Sequence, residues 1–409
     1  MIRRLLPFLS ALKPTRLAVL FAVLIGFGVG FWLWGQPPRP RVVLENLGNG
    51  HTQRAHPVYF SPDGGILATF HQEGHGAPDF LLTLWDVATG KKKLDLFKGY
   101  EPWGLVFSPN GRTLACGFSN QIRVFDLPSG QEVEAYHWPK HHQFAFSPDG
   151  KLRALSHDFI LWDVSDHKFV KKLAKEGEIQ IAGGAPDGDP EILLLGKGEI
   201  VSIWDLATAT LLAERRDIPY LGKNGIPLAQ MAMMPQVKIT PNRRFLIYQS
   251  GSDFIYDLVT GQKKELGELG IVIKGVDLAP DGQMLALEIV GAPKKSMWSW
   301  FTELLEDQAD STETYVSLNG FPSGKELTIL RDCSGPVFST DGRTLAVTGP
   351  DSFLQLYALP IRKPIGKILG LAGLAAVATL LAFNALGWLR RRRMRLEANL
   401  APNSVPSTK

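Results

Sequence analysis

Apolar and polar positions alternate with a period of two in short runs through most of the chain, and the runs are broken by turn residues at regular places. The stretch from Phe144 to Val164 shows the unit: Phe-Ala-Phe, then Ser-Pro-Asp-Gly, then Leu-Arg-Ala-Leu, then Ser-His-Asp, then Phe-Ile-Leu-Trp-Asp. Strict alternation predicts half-buried strands rather than helices, here Phe144–Phe146, Leu152–Leu155 and Phe159–Trp162. Proline presets φ at the first corner and glycine supplies a positive φ after it, so the breaks are turns with a mechanism. The two ends of the chain have the opposite pattern. Leu17–Trp34 is apolar throughout, and Ile368–Leu389 is interrupted only by Thr379 and Asn384. Each predicts a single long helix with no polar face.

The strand unit is written seven times. Its first turn recurs as Ser61-Pro62-Asp63-Gly64, Ser108-Pro109-Asn110-Gly111, Ser147-Pro148-Asp149-Gly150, Ala185-Pro186-Asp187-Gly188, Thr240-Pro241-Asn242-Arg243, Ala279-Pro280-Asp281-Gly282 and Ser339-Thr340-Asp341-Gly342. An aromatic–acid pair follows in five copies, as Trp85-Asp86, Phe125-Asp126, Trp162-Asp163, Trp204-Asp205 and Tyr256-Asp257, and fades to Leu318-Asn319 and Tyr357-Ala358. The spacings between first turns are 47, 39, 38, 55, 39 and 60 residues. A period near 40 that ends in Trp-Asp is the pattern of four-stranded propeller blades.

On these motifs the chain resembles the WD40-repeat β-propeller family over about residues 41–360. The resemblance implies an all-β, seven-bladed propeller of four-stranded blades. The N-terminal strand Arg41–Leu44 would complete the last blade, whose own copy supplies only three strands. It also implies a module that binds proteins or peptides through its loops and carries no chemistry of its own. In the family, a loop histidine can pack with a strand serine, a turn aspartate and the Trp of the Trp-Asp pair; His142, Ser156, Asp158 and Trp162 match that set as a structural network, not a catalytic triad.

The flanks orient the apolar ends. Arg3, Arg4, Lys13 and Arg16 precede the first run, and Arg390–Arg393 and Arg395 follow the second. Positive charge concentrates on the cytoplasmic side of membrane spans. The expected layout is therefore a cytoplasmic N-terminus (1–16), a first transmembrane helix acting as an uncleaved anchor (17–34), an extracytoplasmic propeller (41–360), a second transmembrane helix (368–389) and a basic cytoplasmic tail (390–409). A bacterial inner membrane is the expected setting. A cleaved signal peptide is the alternative for the first run; the absence of a small-x-small site and the presence of Trp32 and Trp34 argue against it. Ala18, Ala22, Gly26 and Gly30 form a small-residue stripe expected to pack on the second helix, where Gly366/Gly370 and Ala372/Ala376 repeat the spacing.

Composition adds little to this. The net charge of +4 includes the terminal arginines, and no basic stripe with interleaved aromatics runs along the repeats, so nucleic acid is not an expected partner. Two cysteines, Cys116 and Cys333, make no disulfide framework. His71 and His75 flank Glu73 in a Gly- and Pro-containing loop, without the His-Glu dipeptide on a helix that a zincin site needs. No cofactor, metal or catalytic residue is expected, and no nucleophile elbow or haem attachment motif is present.

Two connections are long. Residues 215–235 include Tyr220, and residues 291–314 include Ser296–Glu306, which reads as a short helix carrying Trp298, Trp300 and Phe301. The two tryptophans cannot both lie on the narrow face of Met297, Phe301, Leu304 and Leu305, so at least one is expected to be exposed. Strand order puts both connections at the end of the ring opposite the Ser-Pro-Asp-Gly turns, and short linkers put those turns toward the membrane. The expectation is a membrane-anchored scaffold whose membrane-distal face binds a protein or peptide partner through Tyr220, Trp298, Trp300 and Phe301. An extracytoplasmic propeller enzyme, or an accessory subunit of an envelope or transport complex, is the alternative.

Overall fold

The structure is a computed structural model. It describes residues 14–35, 38–44, 58–72, 80–99, 102, 104–118, 120–138, 143–156, 159–173, 182–183, 192–197, 200–216, 236–249, 253–266, 272–291, 314–350, 353–361 and 365–400. The chain divides into two compact units: the terminal segments Met1–Pro38 and Arg362–Lys409, and the central segment Arg39–Ile361.

The central unit is an all-β propeller. Its described strands form four-stranded antiparallel sheets, seven in number. The first contains β2 (Val58–Phe60), β3 (Ile66–Gln72), β4 (Phe80–Asp86) and β5 (Lys92–Gly99), paired in chain order. The next five repeat that order. The seventh holds β26 (Ser334–Phe338), β27 (Thr344–Thr348) and β28 (Leu354–Ala358), and its fourth strand is β1 (Val42–Leu44) from the start of the chain. β1 lies antiparallel to β28, with Val42 opposite Leu356 and Leu44 opposite Leu354, and the Arg41 N–H donates to Leu356 O at 2.8 Å.

Inner strands are buried on both faces, so some of them read as nearly continuous apolar runs rather than alternating ones, whereas outer strands such as Gln131–His137 are exposed. β4 is buried at five successive positions, Leu81–Trp85. Alternate residues serve different neighbours: Ala68 and Phe70 pack against Leu105, Phe107 and Leu114 of the second sheet, while Leu67 packs with Leu44, Ala346 and Leu356 of the seventh. Seven such clusters each join two consecutive sheets. The one that includes Leu44, fully buried, joins the last sheet to the first. The Thr340 hydroxyl adds bonds of 2.6 and 3.0 Å to Ser61 O and Pro62 O across the same junction. A sheet stack closed in this way has no terminal sheet whose inner strands lack a neighbour.

One strand differs from the sequence reading. The third run of the third sheet begins at Ile160 and ends at Asp163, not at Phe159 and Trp162. Phe159 has φ of 55° and its N–H donates to Ser156 O, so it belongs to the turn.

The terminal unit consists of an N-terminal helix, Pro14–Gly35, and a C-terminal helix, Ile365–Leu400. They run antiparallel, because Phe21 stacks on Phe383 at 5.9 Å while Gly26 and Gly30 lie beside Ala376 and Ala372. Ala18 and Ala22 are buried, and a Cβ on Gly26 would stand 3.0 Å from Ala372 O and 3.1 Å from Ala376 Cβ. The expected small-residue face of the first helix is thus the packed one. Of the two small-residue pairs on the second helix, Ala372/Ala376 takes part; among the described residues nothing lies within 4 Å of a Cβ built on Gly366 or Gly370. Gly366–Arg395 is long and apolar enough to cross a membrane, whereas the described apolar part of the first helix, Ala18–Phe31, is shorter.

Candidate functional site

Antiparallel order fixes which connections share an end of the propeller. Turns between first and second strands and between third and fourth strands lie at one end; the remaining connections lie at the other. At the turn end the repeat's polar residues are committed to the backbone. The Ser61 hydroxyl donates to Asp63 Oδ1 at 2.5 Å and accepts the Ile66 N–H at 2.8 Å, while Asp63 accepts the Gly65 N–H at 3.0 Å. The same arrangement recurs at Ser108–Asn110, Ser147–Asp149, Thr240–Asn242 and Ser339–Asp341. The acid of the aromatic–acid pair closes the second turn: Asp86 accepts the Thr89 N–H and hydroxyl at 2.8 and 2.7 Å, Asp126 accepts the same two groups of Ser129, and Asp205 and Asp257 accept the N–H groups of Ala207 and Val259.

These bonds favour the ionised carboxyls. The Ser61 hydroxyl holds Asp63 below the usual carboxylate range, and the hydroxyls of Thr89 and Ser129 do the same for Asp86 and Asp126. At Asp257, burial pushes upward but is outweighed by the Arg244 guanidinium at 3.0 Å and the turn N–H groups, which bring it to about 2. Asp163 pairs with Arg153 at 3.1 Å and Asp205 with Arg243 at 3.3 Å. Four of the five acids of the repeat motif therefore hold turns, and Asp163 holds Arg153 within its own sheet.

The aromatic partners pack in or beside the sheet junctions. Trp85 is buried and donates its Nε1–H to Thr69 Oγ1 at 2.9 Å. Phe125 and Tyr256 are buried, and Trp162 meets Phe169 edge-on at 6.2 Å. Trp204 Nε1 is buried without a hydrogen-bond partner among the described residues. The register explains this: Thr69 stands two residues beyond the Leu67 that faces Trp85, and in the fourth sheet Leu195 holds the corresponding place beyond Leu193, which faces Trp204.

The four residues expected to contact a partner, Tyr220, Trp298, Trp300 and Phe301, lie outside the described residues, as do His75, His142 and Asp158. What the structure places is their roots. The connection carrying Tyr220 leaves β17 (Thr210–Arg215) and enters β18 (Gln236–Ile239), a fourth-to-first-strand connection. The one carrying Trp298 leaves β23 (Met284–Val290) and enters β24 (Thr314–Gly320), whose Thr314 is paired with Val290. Both roots belong to the end opposite the turns. Ser156 accepts the Ile160 N–H in its own turn at 3.3 Å.

Two acids at a sheet junction were not singled out by the sequence reading. In the sixth sheet, Asp277 accepts the Phe338 N–H at 2.7 Å and Glu288 accepts the Gly335 N–H at 2.8 Å, bracing it to the seventh. Burial pushes Asp277 upward. The signal was an acid inside each apolar strand, Val-Asp-Leu and Leu-Glu-Ile, where a buried carboxyl requires donors. Cys116 and Cys333 are both buried and free; burial pushes both thiols up, Cys333 to about 12, which leaves them unreactive. Among the described residues no group of His, Cys, Asp or Glu has the placement to hold a metal ion.

The fold and its turns define a β-propeller of repeated four-stranded sheets. The family described as WD domain, G-beta repeat matches residues 91–126, which take in the last strand of the first sheet and three strands of the second, ending at Phe125-Asp126. The small ribosomal subunit protein RACK1 of Medicago sativa is 35% identical over 91 residues, 22% of this chain and 26% of that protein. The cross-pathway control WD-repeat protein 2 of Flammulina velutipes is 35% identical over 85 residues, 21% of this chain and 25% of that protein. The chain thus spans about a quarter of the length of the curated relatives it matches. Among solved structures, the Cps50 (Swd1) propeller domain of Myceliophteria thermophila has a TM-score of 0.47 at 15% identity, covering 78% of this chain and 99% of that one. A chain of the mitotic checkpoint complex has a TM-score of 0.49 at 14% identity, covering 79% and 92%.

Proposed function

We propose that this protein is a membrane-anchored scaffold: a closed, seven-bladed propeller that binds a protein or peptide partner at the end opposite its repeated turns. The observation that carries the reading is that both long connections, with Tyr220 in one and Trp298, Trp300 and Phe301 in the other, are rooted at that same end. Aromatic side chains supply a disproportionate share of interface energy. The similarity to WD-repeat proteins supports a binding role, and the reading assigns no catalysis, because the repeat's acids hold turns and both thiols are buried.

Two transmembrane helices, residues 17–34 and 368–389, anchor the scaffold. Their antiparallel packing supports the reading that both termini share one side, and the flanking arginines support a cytoplasmic side, with the propeller beyond the membrane, in a bacterium the periplasm. Reporter fusions at both ends should be active only in the cytoplasm; a C-terminal reporter active outside would overturn the topology.

The test of function is a crosslinking pull-down from native membranes with the wild type and a Trp298→Ala/Trp300→Ala variant. The reading expects a reproducible partner that the variant loses while its thermal unfolding stays the same. Loss of folding together with binding would make the tryptophans part of the propeller's own core.

A further inference from the structure

The C-terminal helix does not stop where its apolar stretch stops. It continues without a break to Leu400, 36 residues from Ile365. At 1.5 Å per residue it is about 54 Å long, against roughly 30 Å for a bilayer's hydrocarbon core. The overhang carries Arg390, Arg391, Arg392, Arg393 and Arg395, all exposed. At 100° per residue these five cover the whole circumference of the helix. No Asp or Glu occurs between Ile365 and Ala398 except Glu397.

The side chains lean back toward the apolar segment, as helical side chains do. Arg391 donates its Nε–H to Gly387 O at 3.2 Å. The Arg392 guanidinium lies 5.3 Å from the ring centroid of Trp388, which is itself 55% exposed. Both cations are thereby held at the level of an aromatic residue of the kind that sits at the membrane interface. With Nε of Arg391 engaged, its Nη groups still offer a donor fork matched to a phosphate. The antiparallel packing brings the Pro14 end of the first helix toward the same level, and Arg16 stands there.

We propose that this arginine collar, on the membrane-spanning reading above, is a binding site for the phosphodiester headgroups of anionic phospholipids. A zwitterionic headgroup carries the same phosphate but offsets it with its own ammonium, so the collar discriminates by net charge. The site fixes the depth of the C-terminal helix in the bilayer through headgroup contacts rather than through the apolar length alone.

The experiment uses the full chain and begins with an alkaline carbonate wash of membranes, after which the protein should remain in the pellet. Release into the wash would overturn the membrane reading and this proposal together. The retained protein is then purified in detergent with equal phosphatidylglycerol and phosphatidylcholine, and bound lipid is counted by native mass spectrometry. The wild type should hold phosphatidylglycerol with about a tenfold preference, the order expected for several interfacial arginines. Replacing Arg390, Arg391, Arg392 and Arg393 by Gln should bring the preference to parity, and the four Lys replacements should restore part of it. Equal binding of both lipids by the wild type, or an undiminished preference in the Gln variant, would overturn the proposal while leaving the membrane span standing.

Discussion

The two ends of the propeller are made from the same strands and are built differently. At the turn end, one hydrogen-bonding solution recurs: a hydroxyl or carboxyl accepts the turn's N–H groups, and the junctions are tied by bonds such as Asn242 to Pro280 O at 2.6 Å and Arg41 to Val87 O at 3.0 Å. At the other end the connections differ in length from sheet to sheet, and two of them carry the aromatic residues expected to bind. The difference teaches where mutation should be felt: in stability at the turn end, in binding at the other.

The largest effect is expected at the irregular end. Trp298→Ala/Trp300→Ala should weaken partner binding by about 4 kcal/mol, two hot-spot truncations at about 2 kcal/mol each, with an unchanged unfolding midpoint. Isothermal titration with the captured partner measures it, and a fall in midpoint with unchanged affinity would erase the contrast.

The next effect breaks the turn end. Gly90 has φ of +69° and a Cβ there would lie 2.0 Å from Val42 Cγ1 in the closing strand. Gly90→Ala should destabilise by about 3 kcal/mol, backbone strain plus overpacking. Gly150→Ala shares the positive φ but meets nothing within 4 Å, so it should cost only the strain, about 1 kcal/mol. Urea unfolding of the pair isolates the contribution of ring closure; equal losses would mean that Val42–Leu44 does not bear on it.

A smaller effect is expected inside the first sheet. Thr69→Val leaves the Trp85 Nε1–H buried without an acceptor and should cost about 1–2 kcal/mol by thermal unfolding. The fourth sheet already tolerates this condition at Trp204, so a cost near zero would mean that the bond to Thr69 contributes nothing.

The smallest effect is on acid stability. Asp257 has its pKa lowered to about 2 from 3.8, so its contribution is fully present above about pH 4 and is lost as pH falls through about 2. Asp257→Asn should therefore flatten the fall in stability between those values and leave other acids to set the remainder. An identical slope in the variant would show that the carboxyl is not favoured in the fold.

The repeated parts of this architecture were legible because each turn needs particular residue types, and the same types returned seven times. Residues such as Gly64, at φ of +69°, and Asp63, accepting two bonds, have few substitutes. The edges of strands were less legible: Phe159 is apolar and continues the alternation, yet its positive φ places it in a turn. Asp277 and Glu288 escaped notice because the N–H groups they accept belong to the next sheet, some 60 and 47 residues along the chain, and no local pattern records such a partner. Likewise, spacing alone marked Gly366 and Gly370 as readily as Ala372 and Ala376, but which face of a helix meets its neighbour depends on rotation about its axis. The candidate binding residues were read from single-copy insertions, which have no repeat to check them.

The most direct test of the contrast between the two ends is photocrosslinking in native membranes. A photoreactive phenylalanine analogue is placed in turn at Tyr220 and Trp298, and at Asn110 and Asp149 in the exposed turns. The account predicts one shared adduct from Tyr220 and Trp298 and none from Asn110 or Asp149. An adduct from the turn positions, with Tyr220 and Trp298 blank, would contradict it.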